Sequence, residues 1–302
     1  MRLDKRLVAE HPGLSRRQAL RAIENGQVTV DGTVSLECGA AIDDRAVVAW
    51  DPNRPARPRV RLGLSILHQD EELVVVDKPA GMLSVPTDAH EGGPSALELV
   101  REWATRGGAP SRWAERVHRL DRDTSGALLF ALRRDARELL IGLFAHHRIE
   151  RRYAAIVSGS PREDSGEIDA PIRSEWRGGR RGVAAPHEES LPALTRWRVV
   201  RRVGRSALLD VQLFTGRQHQ IRAHLADAGF PILGDPVYGA GAPALVRVPR
   251  QMLHARLLAL TNPVTGTLVR VESPLPADMT AALRALEVVL PTRSGGRSAR
   301  RR

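Results

Sequence analysis

The sequence predicts an α+β fold in two parts, and three observations carry that expectation. Apolar runs of strand length lie between glycines and charged stretches, the clearest being Ala127 to Leu132. Helix patterns with recognisable caps occur apart from them, one near the amino end and one after Thr215. A proline- and arginine-rich stretch, Asp51 to Arg59, cannot pack and separates a small leading module from a larger body. A chain of 302 residues suggests about two domains, the larger able to bury a substantial core. The expected boundaries are a module over 1–50, a stiff linker over 51–65, a main domain over 66–291 and a tail over 292–302.

In the leading module, Ser15 stands as the N-cap of a helix, Gln18 completes a capping box and Gly26 ends the run. Leu20 and Ile23 supply its small buried side, which leaves Arg16, Arg17 and Arg21 facing outward. Val28 and Val30 then lead into an Asp31-Gly32 turn that Val34 leaves, the signature of a tight hairpin.

In the main domain, His118-Arg119-Leu120-Asp121-Arg122-Asp123-Thr124-Ser125-Gly126 sets a carboxylate among basic side chains just ahead of the apolar run. Asp121 is therefore expected on the loop entering a buried strand. Alone, such a pattern signifies no more than an exposed ion pair. Arg151 to Val157 reads as a strand with Tyr153, Ala155 and Val157 on one face, where a tyrosine is ordinarily core. Between Ser160 and Leu191 the pattern weakens into a strand connection with a mobile basic insertion, Gly178 to Gly182, most simply a surface loop. Leu209, Val211 and Leu213 alternate as a strand that turns into a helix. Thr215 and Gln218 have capping-box spacing, Ile221 and Leu225 form an i, i+4 stripe, and Gly229 supplies the stop. Arg217, Arg222 and His224 then fall on the early helical surface, where a guanidinium can pair with a carboxylate or phosphate.

The net charge of +11 favours an anionic partner held in a salt-dependent way. Composition alone would equally suit a membrane surface. No stretch approaches ~20 apolar residues, however, and no apolar signal region follows Met1, so a cytoplasmic location is expected. A lone cysteine, Cys38, excludes an internal disulfide framework and fits a reducing compartment. His118, His219, His224 and His254 invite a metal test, but His219 and His224 are five apart and no cysteine or carboxylate cluster completes a zinc set. No metal and no other cofactor is expected. The absence of a G-x-x-x-x-G-K-S/T loop disfavours a nucleotide-driven enzyme. The tail, with Arg293, Arg297, Arg300, Arg301 and Arg302, is predicted to be disordered, either as an electrostatic tether or as a solvated end.

Several motifs in order make the chain, from about Ile66 to Pro291, closely resemble the RluA-type pseudouridine synthases. They are Leu73-Val74-Val75-Val76-Asp77-Lys78-Pro79-Ala80-Gly81, the H-R-L-D-x-x-T-S-G of 118–126, the Arg152-Tyr153 strand and the G-R-x-H-Q-I-R of 216–222. Pro231-Ile232-Leu233-Gly234-Asp235 and Leu253-His254-Ala255 complete the set; Gln218 and Ala223 stand where Thr and Val are more usual. The module at 1–50 resembles an S4 RNA-binding domain. The resemblance implies a largely antiparallel mixed sheet with peripheral helices, Asp121 as catalytic aspartate, Tyr153 as active-site tyrosine and Arg222 as the basic partner of Asp121. It also implies a monomer acting on RNA, most naturally 23S ribosomal RNA given the S4-like domain. Arg119 would fill the place of the displaced base, and His118 would either contact phosphate or serve as a loop hydrogen-bonder. Arg217, His219, Arg16, Arg17 and Arg21 are the remaining candidate RNA contacts. Transfer RNA is the alternative substrate; a non-catalytic RNA-binding ribosome assembly factor and a base-excising glycosidase are alternatives of other classes.

The implied reaction breaks C1′–N1 of uridine, turns the base and joins C1′ to C5, with no atom lost and no redox step. A carboxylate suits a sugar carbon, as in retaining glycoside hydrolysis. Capture of C1′ as an acylal, a Michael-type attack on the base, and removal of a ribose proton to give a glycal all stay open at this point. Extruding the uridine costs a few kcal/mol, which stacking on Tyr153, worth roughly 1 to 3 kcal/mol per base, would help offset.

Overall fold

The structure is a computed structural model of the chain and describes residues 1–24, 26–35, 38–53, 64–87, 93–176, 180–242 and 246–289. Most of the expected linker, Gly178-Gly179 and the expected tail lie outside the described residues. The chain divides into two compact units, residues 1–61 with 103–112, and 62–102 with 113–302.

The first unit holds α1 (Leu3–Glu10), α2 (Arg16–Glu24), β1 (Val28–Val30), β2 (Thr33–Val34) and β3 (Val48–Trp50), with antiparallel strand order β2-β1-β3. The capping box forms as expected: Ser15 Oγ accepts from the Gln18 N–H at 3.3 Å, and Gln18 Oε1 accepts the Ser15 N–H at 2.9 Å. Asp31 and Gly32 both take positive φ, 50° and 77°, setting Val30 opposite Thr33. The buried side of α2 is Ala19, Ala22 and Ile23 rather than Leu20 and Ile23, and it packs on Leu3, Leu7 and Val28. Leu20 is only half-buried.

The second unit is built on a ten-stranded sheet. Its strands are β4 (Ser65–Gln69), β5 (Leu73–Lys78), β6 (Glu115–Arg116), β7 (Ser125–Ala131), β8 (Glu150–Ser158) and β9 (Ser165–Asp169). A two-stranded ribbon of β10 (Ile172–Arg173) and β11 (Ser190–Leu191) stands apart, after which β12 (Leu194–Val203), β13 (Ser206–Leu213), β14 (Leu253–Thr261) and β15 (Leu268–Glu272) complete the sheet. The order is β4-β5-β7-β14-β8-β13-β12-β9, with β15 on β14 and β6 on β7. Among the described strands only β7 and β14 run parallel, which makes the sheet the mostly antiparallel mixed sheet that was expected. Helices α3 (Ala96–Trp103), α4 (Arg134–Ala145), α5 (Gln220–Asp227) and α6 (Ala277–Val289) accompany it.

Strand β7 lies between β5 and β14 and is buried on both faces, hence its unbroken apolar run instead of an alternation. Leu73, Val75, Leu129, Leu140, Leu258 and Val271 form the core about it. At its mouth the backbones of β7 and β14 nearly touch. Gly126 has φ 112°, and a Cβ there would fall 2.2 Å from the Ala255 carbonyl oxygen, so no other residue fits. Strand β8 is likewise central, with Tyr153 opposite both Ala255 and Val211. Ala154 and Ile156 are therefore buried along with the expected face of Tyr153, Ala155 and Val157.

The helix expected directly after Thr215 begins five residues later. Gln220, not Gln218, closes the turn: its Oε1 accepts the Thr215 hydroxyl at 2.8 Å and the Arg217 N–H at 3.0 Å. Thr215 Oγ1 also accepts the Leu194 N–H at 2.9 Å, which ties the 215–219 turn to the neighbouring strand β12. Arg222 and His224 are consequently buried instead of decorating a surface.

Candidate active site

Asp121 lies on the loop that enters β7, and all four backbone carbonyls from Leu120 to Asp123 are held. Ser84 Oγ donates to Leu120 O at 2.7 Å, and the Thr124 N–H donates to Asp121 O at 3.1 Å. Lys78 Nζ and the Gly81 N–H both donate to Arg122 O, at 2.9 and 3.0 Å, while Arg250 Nη1 donates to Asp123 O at 3.0 Å. A loop pinned at every carbonyl presents its carboxylate without further ordering.

Lys78 is one of two lysines in a chain with 46 basic residues. Fully buried at the end of β5, its ammonium also donates to Pro79 O at 3.0 Å and Met82 O at 2.8 Å. Three convergent carbonyls suit a compact ammonium and not a planar guanidinium. Burial, against the pull of Asp123 and Asp121, lowers the Lys78 pKa to about 7. Since an unfolded lysine titrates near ~10.4, the unfolded chain holds a proton that the folded one releases between about pH 7 and 10, and stability rises with pH across that window. Lys78→Met should flatten this rise, checked by urea unfolding at pH 7 and pH 9.5; an unchanged slope would contradict it.

Arg222, on α5, joins the two halves of the site. Its Nη1 donates to Asp121 Oδ2 at 3.0 Å, while Nε and Nη2 fork onto Asp235 at 2.7 and 2.9 Å. Asp235 is fully buried and also accepts the N–H groups of Val237 and Tyr238, at 2.9 and 3.0 Å. Burial alone would raise its carboxyl, but Arg222 and these N–H groups outweigh that and hold it below the usual range. The Asp235 turn is close-packed: Gly234 has φ 77°, and a Cβ there would sit 2.2 Å from Arg250 O.

Tyr153 is buried on β8, and its hydroxyl makes no hydrogen bond to a described residue. Burial pushes the phenol above its ordinary value; Arg151 pulls it down and Asp121 pushes it further up, which places its oxygen within the electrostatic reach of Asp121. His219 enters the same site from the turn before α5, with a left-handed φ of 59°. Its Nε2 stands 3.8 Å from Asp121 Oδ2, beyond hydrogen-bond range, and its Nδ1 meets the Tyr238 hydroxyl at 3.2 Å. Burial is the largest influence on the ring and lowers its pKa, Asp121 opposing and Arg222 assisting, so the close approach to Asp121 is that of a neutral imidazole, not an ion pair.

The remaining expected contacts divide. Arg119 is exposed and without a partner among the described residues, yet near enough to bear on His219. His118 makes the loop hydrogen bond that was one of its two expected roles: Nε2 accepts the Leu129 N–H at 3.0 Å and the ring stacks on Phe144 at 4.7 Å. Burial lowers its pKa to about 3, so it carries no charge to offer a phosphate. Arg217 donates to Pro192 O at 3.0 Å and braces the turn before α5. On α2, Arg17 and Arg21 are exposed, whereas Arg16 reaches the buried Asp4 at 3.4 Å together with Arg2 at 3.0 Å. His224 and His254 are structural, the first bonded to Thr195 Oγ1 and Ala170 O, the second to Ser125 Oγ and Ser273 O. Among the described residues no three His, Cys, Asp or Glu side chains gather as a metal site, and no helix is long and apolar enough to cross a membrane.

Comparison with known proteins places the chain in a family. Residues 72–227 match the family described as RNA pseudouridylate synthase, and residues 1–35 match the S4 domain. An uncharacterized RNA pseudouridine synthase of Synechocystis is 34% identical over 298 residues, covering 96% of this chain and 90% of its own. The ribosomal large subunit pseudouridine synthase D of Nitrosomonas europaea is 36% identical over 296 residues, covering 95% of this chain and 84% of its own. Among solved structures, human RNA pseudouridylate synthase domain containing 4 superposes with a TM-score of 0.62 at 26% identity, over 74% of this chain and 93% of that one.

Proposed function

Because the chain belongs to the RNA pseudouridylate synthase family and carries an S4 domain, we propose that it isomerises uridine in large-subunit ribosomal RNA, with Asp121 acting at the sugar. The observation that carries the assignment of Asp121 is its carboxylate, bonded to Arg222 and projecting from a loop whose carbonyls are all anchored. The relative from Nitrosomonas europaea, named for the large ribosomal subunit and similar over nearly the whole chain, supports the choice of RNA. Exposed Arg17 and Arg21 in the leading module, and the net charge of +11, suit a phosphate backbone.

The uridine is turned out of its helix, and the exposed Arg119 fills the gap. Tyr153 supplies a stacking face. As C1′–N1 breaks, Asp121 stabilises the electron-poor sugar; the base turns, C1′–C5 forms, C5 loses a proton and N1 gains one. The raised pKa of Tyr153 keeps its phenol protonated at neutral pH, so it can relay the C5 proton by giving one hydrogen as it takes another. Tyr153→Phe should therefore leave RNA affinity within about twofold and slow single turnover by about 10²-fold, in the range of one proton-transfer catalyst. An unchanged rate would remove the proton role.

The substrate is tested by mapping pseudouridine in ribosomal and transfer RNA from cells with and without this chain. Loss of a modification from large-subunit RNA is expected. Loss confined to transfer RNA would replace the ribosomal assignment, and an unchanged map would favour an assembly factor.

A further inference from the structure

His219 carries a hydrogen-bond acceptor that no described residue fills. The Tyr238 hydroxyl lies 2.6 Å from Arg181 O, and since a carbonyl brings no hydrogen, the hydroxyl's single hydrogen must lie between them. At its second contact, 3.2 Å from His219 Nδ1, the Tyr238 oxygen can then only accept, so Nδ1 carries the ring N–H. The ring is neutral, through burial and the nearby Arg222, and its other nitrogen is left as a bare lone pair. That nitrogen, Nε2, bonds no described residue. Asp121 Oδ2 stands 3.8 Å away and is itself an acceptor. Two acceptors at that separation cannot bond each other, but a donor seated against them can satisfy either. Edge contacts of His219 with Trp176 and Tyr238, at 5.4 and 5.7 Å between ring centres, hold the imidazole plane in place.

We propose that His219 Nε2 accepts a hydrogen bond from the 2′-hydroxyl of the target nucleotide and makes the site selective for ribose over deoxyribose. The inference rests on the placement of the target nucleotide against Asp121. If that carboxylate reaches C1′, the hydroxyl on the next ring carbon is the sugar's nearest donor to a group beside the carboxylate. For one and the same base, the 2′-hydroxyl is also what separates a ribonucleotide from a deoxyribonucleotide. Arg222 and Tyr238 thereby act on either side of one device: the first fixes Asp121, the second fixes the tautomer of His219.

The test uses the full chain with Asp121→Ala, which prevents turnover and introduces no donor of its own. Affinity is measured for the RNA fragment holding the mapped uridine, made with ribose or with 2′-deoxyribose at that nucleotide alone. With His219 present, the ribose form should bind tighter on the order of tenfold, as for an acceptor left unsatisfied in its absence. His219→Ala should bring the ratio close to one. A ratio unchanged by His219→Ala, or already one in its presence, overturns the proposal. Should that variant fail to fold, Tyr238→Phe removes only the oxygen that fixes the tautomer and should reduce the same ratio; no reduction overturns the proposal equally. If the chain with Asp121 intact and Asp121→Asn convert uridine alike, the placement of the target fails instead, and the two failures are thus distinct.

Discussion

Replacing Asp121 by Asn should leave a folded protein that binds RNA and converts uridine slower by on the order of 10⁴-fold or more, the scale on which removal of a central catalytic group falls. The substitution keeps shape and an oxygen that can accept from Arg222, and removes the charge. Folding should survive because Arg222 does not depend on Asp121 for its compensation: Asp235 takes two of its three hydrogen bonds and remains buried beside it. Loss of rate without loss of affinity or melting temperature is the pattern of a group that acts on the transition state. The check is single-turnover conversion alongside a binding isotherm. A fall in affinity equal to the fall in rate would instead make Asp121 a binding residue.

Asp235→Ala should do the opposite to stability. The carboxylate is fully buried and accepts from Arg222 twice and from two backbone N–H groups. Without it the buried guanidinium keeps, among the described residues, only the more exposed Asp121 as a carboxylate partner, and stranding one member of a buried pair typically costs about 3–5 kcal/mol. At about 2–4 °C per kcal/mol for a domain of this size, the melting temperature should drop by about 6 °C or more. Activity should fall too, because Arg222 then lacks the fork that aims its third nitrogen at Asp121. The depressed carboxyl of Asp235 sets the direction with pH: its contribution is present above the ordinary carboxylate range and is lost as pH falls through its lowered folded value. The gap in stability between the parent and Asp235→Ala should therefore narrow in acid. A thermal melt within 1–2 °C of the parent at neutral pH, less than the smallest loss from breaking a buried pair, would contradict this account.

What could be read from the sequence was what is local. The capping box of Ser15 and Gln18, the Asp31-Gly32 turn and the run from Ala127 to Leu132 each depend on neighbours within a few residues, and each is found as expected. The start of α5 was not legible, because the Thr215 hydroxyl is shared with Leu194 on another strand and the closing side chain is Gln220, five residues on. Asp121 and Arg222 lie 101 residues apart, and no spacing rule connects them; the motif resemblance did. Lys78 and Asp235 stood inside motifs but were given no task. The contrast of a lysine in an arginine-rich chain, one residue beyond a run of four apolar strand residues, was the available signal for the first. His118 was left between a phosphate contact and a loop hydrogen bond, because its partners, Phe144 and the β7 backbone at Leu129, lie 11 or more residues away.

The most direct measurement is a nucleoside balance. Large-subunit RNA from cells lacking the chain is incubated with the purified protein, and the digest is assayed for uridine, pseudouridine and free uracil. Pseudouridine should appear one for one as uridine disappears, with no free uracil and no such conversion by Asp121→Asn. Release of uracil, or equal conversion by Asp121→Asn, would contradict isomerisation by this carboxylate.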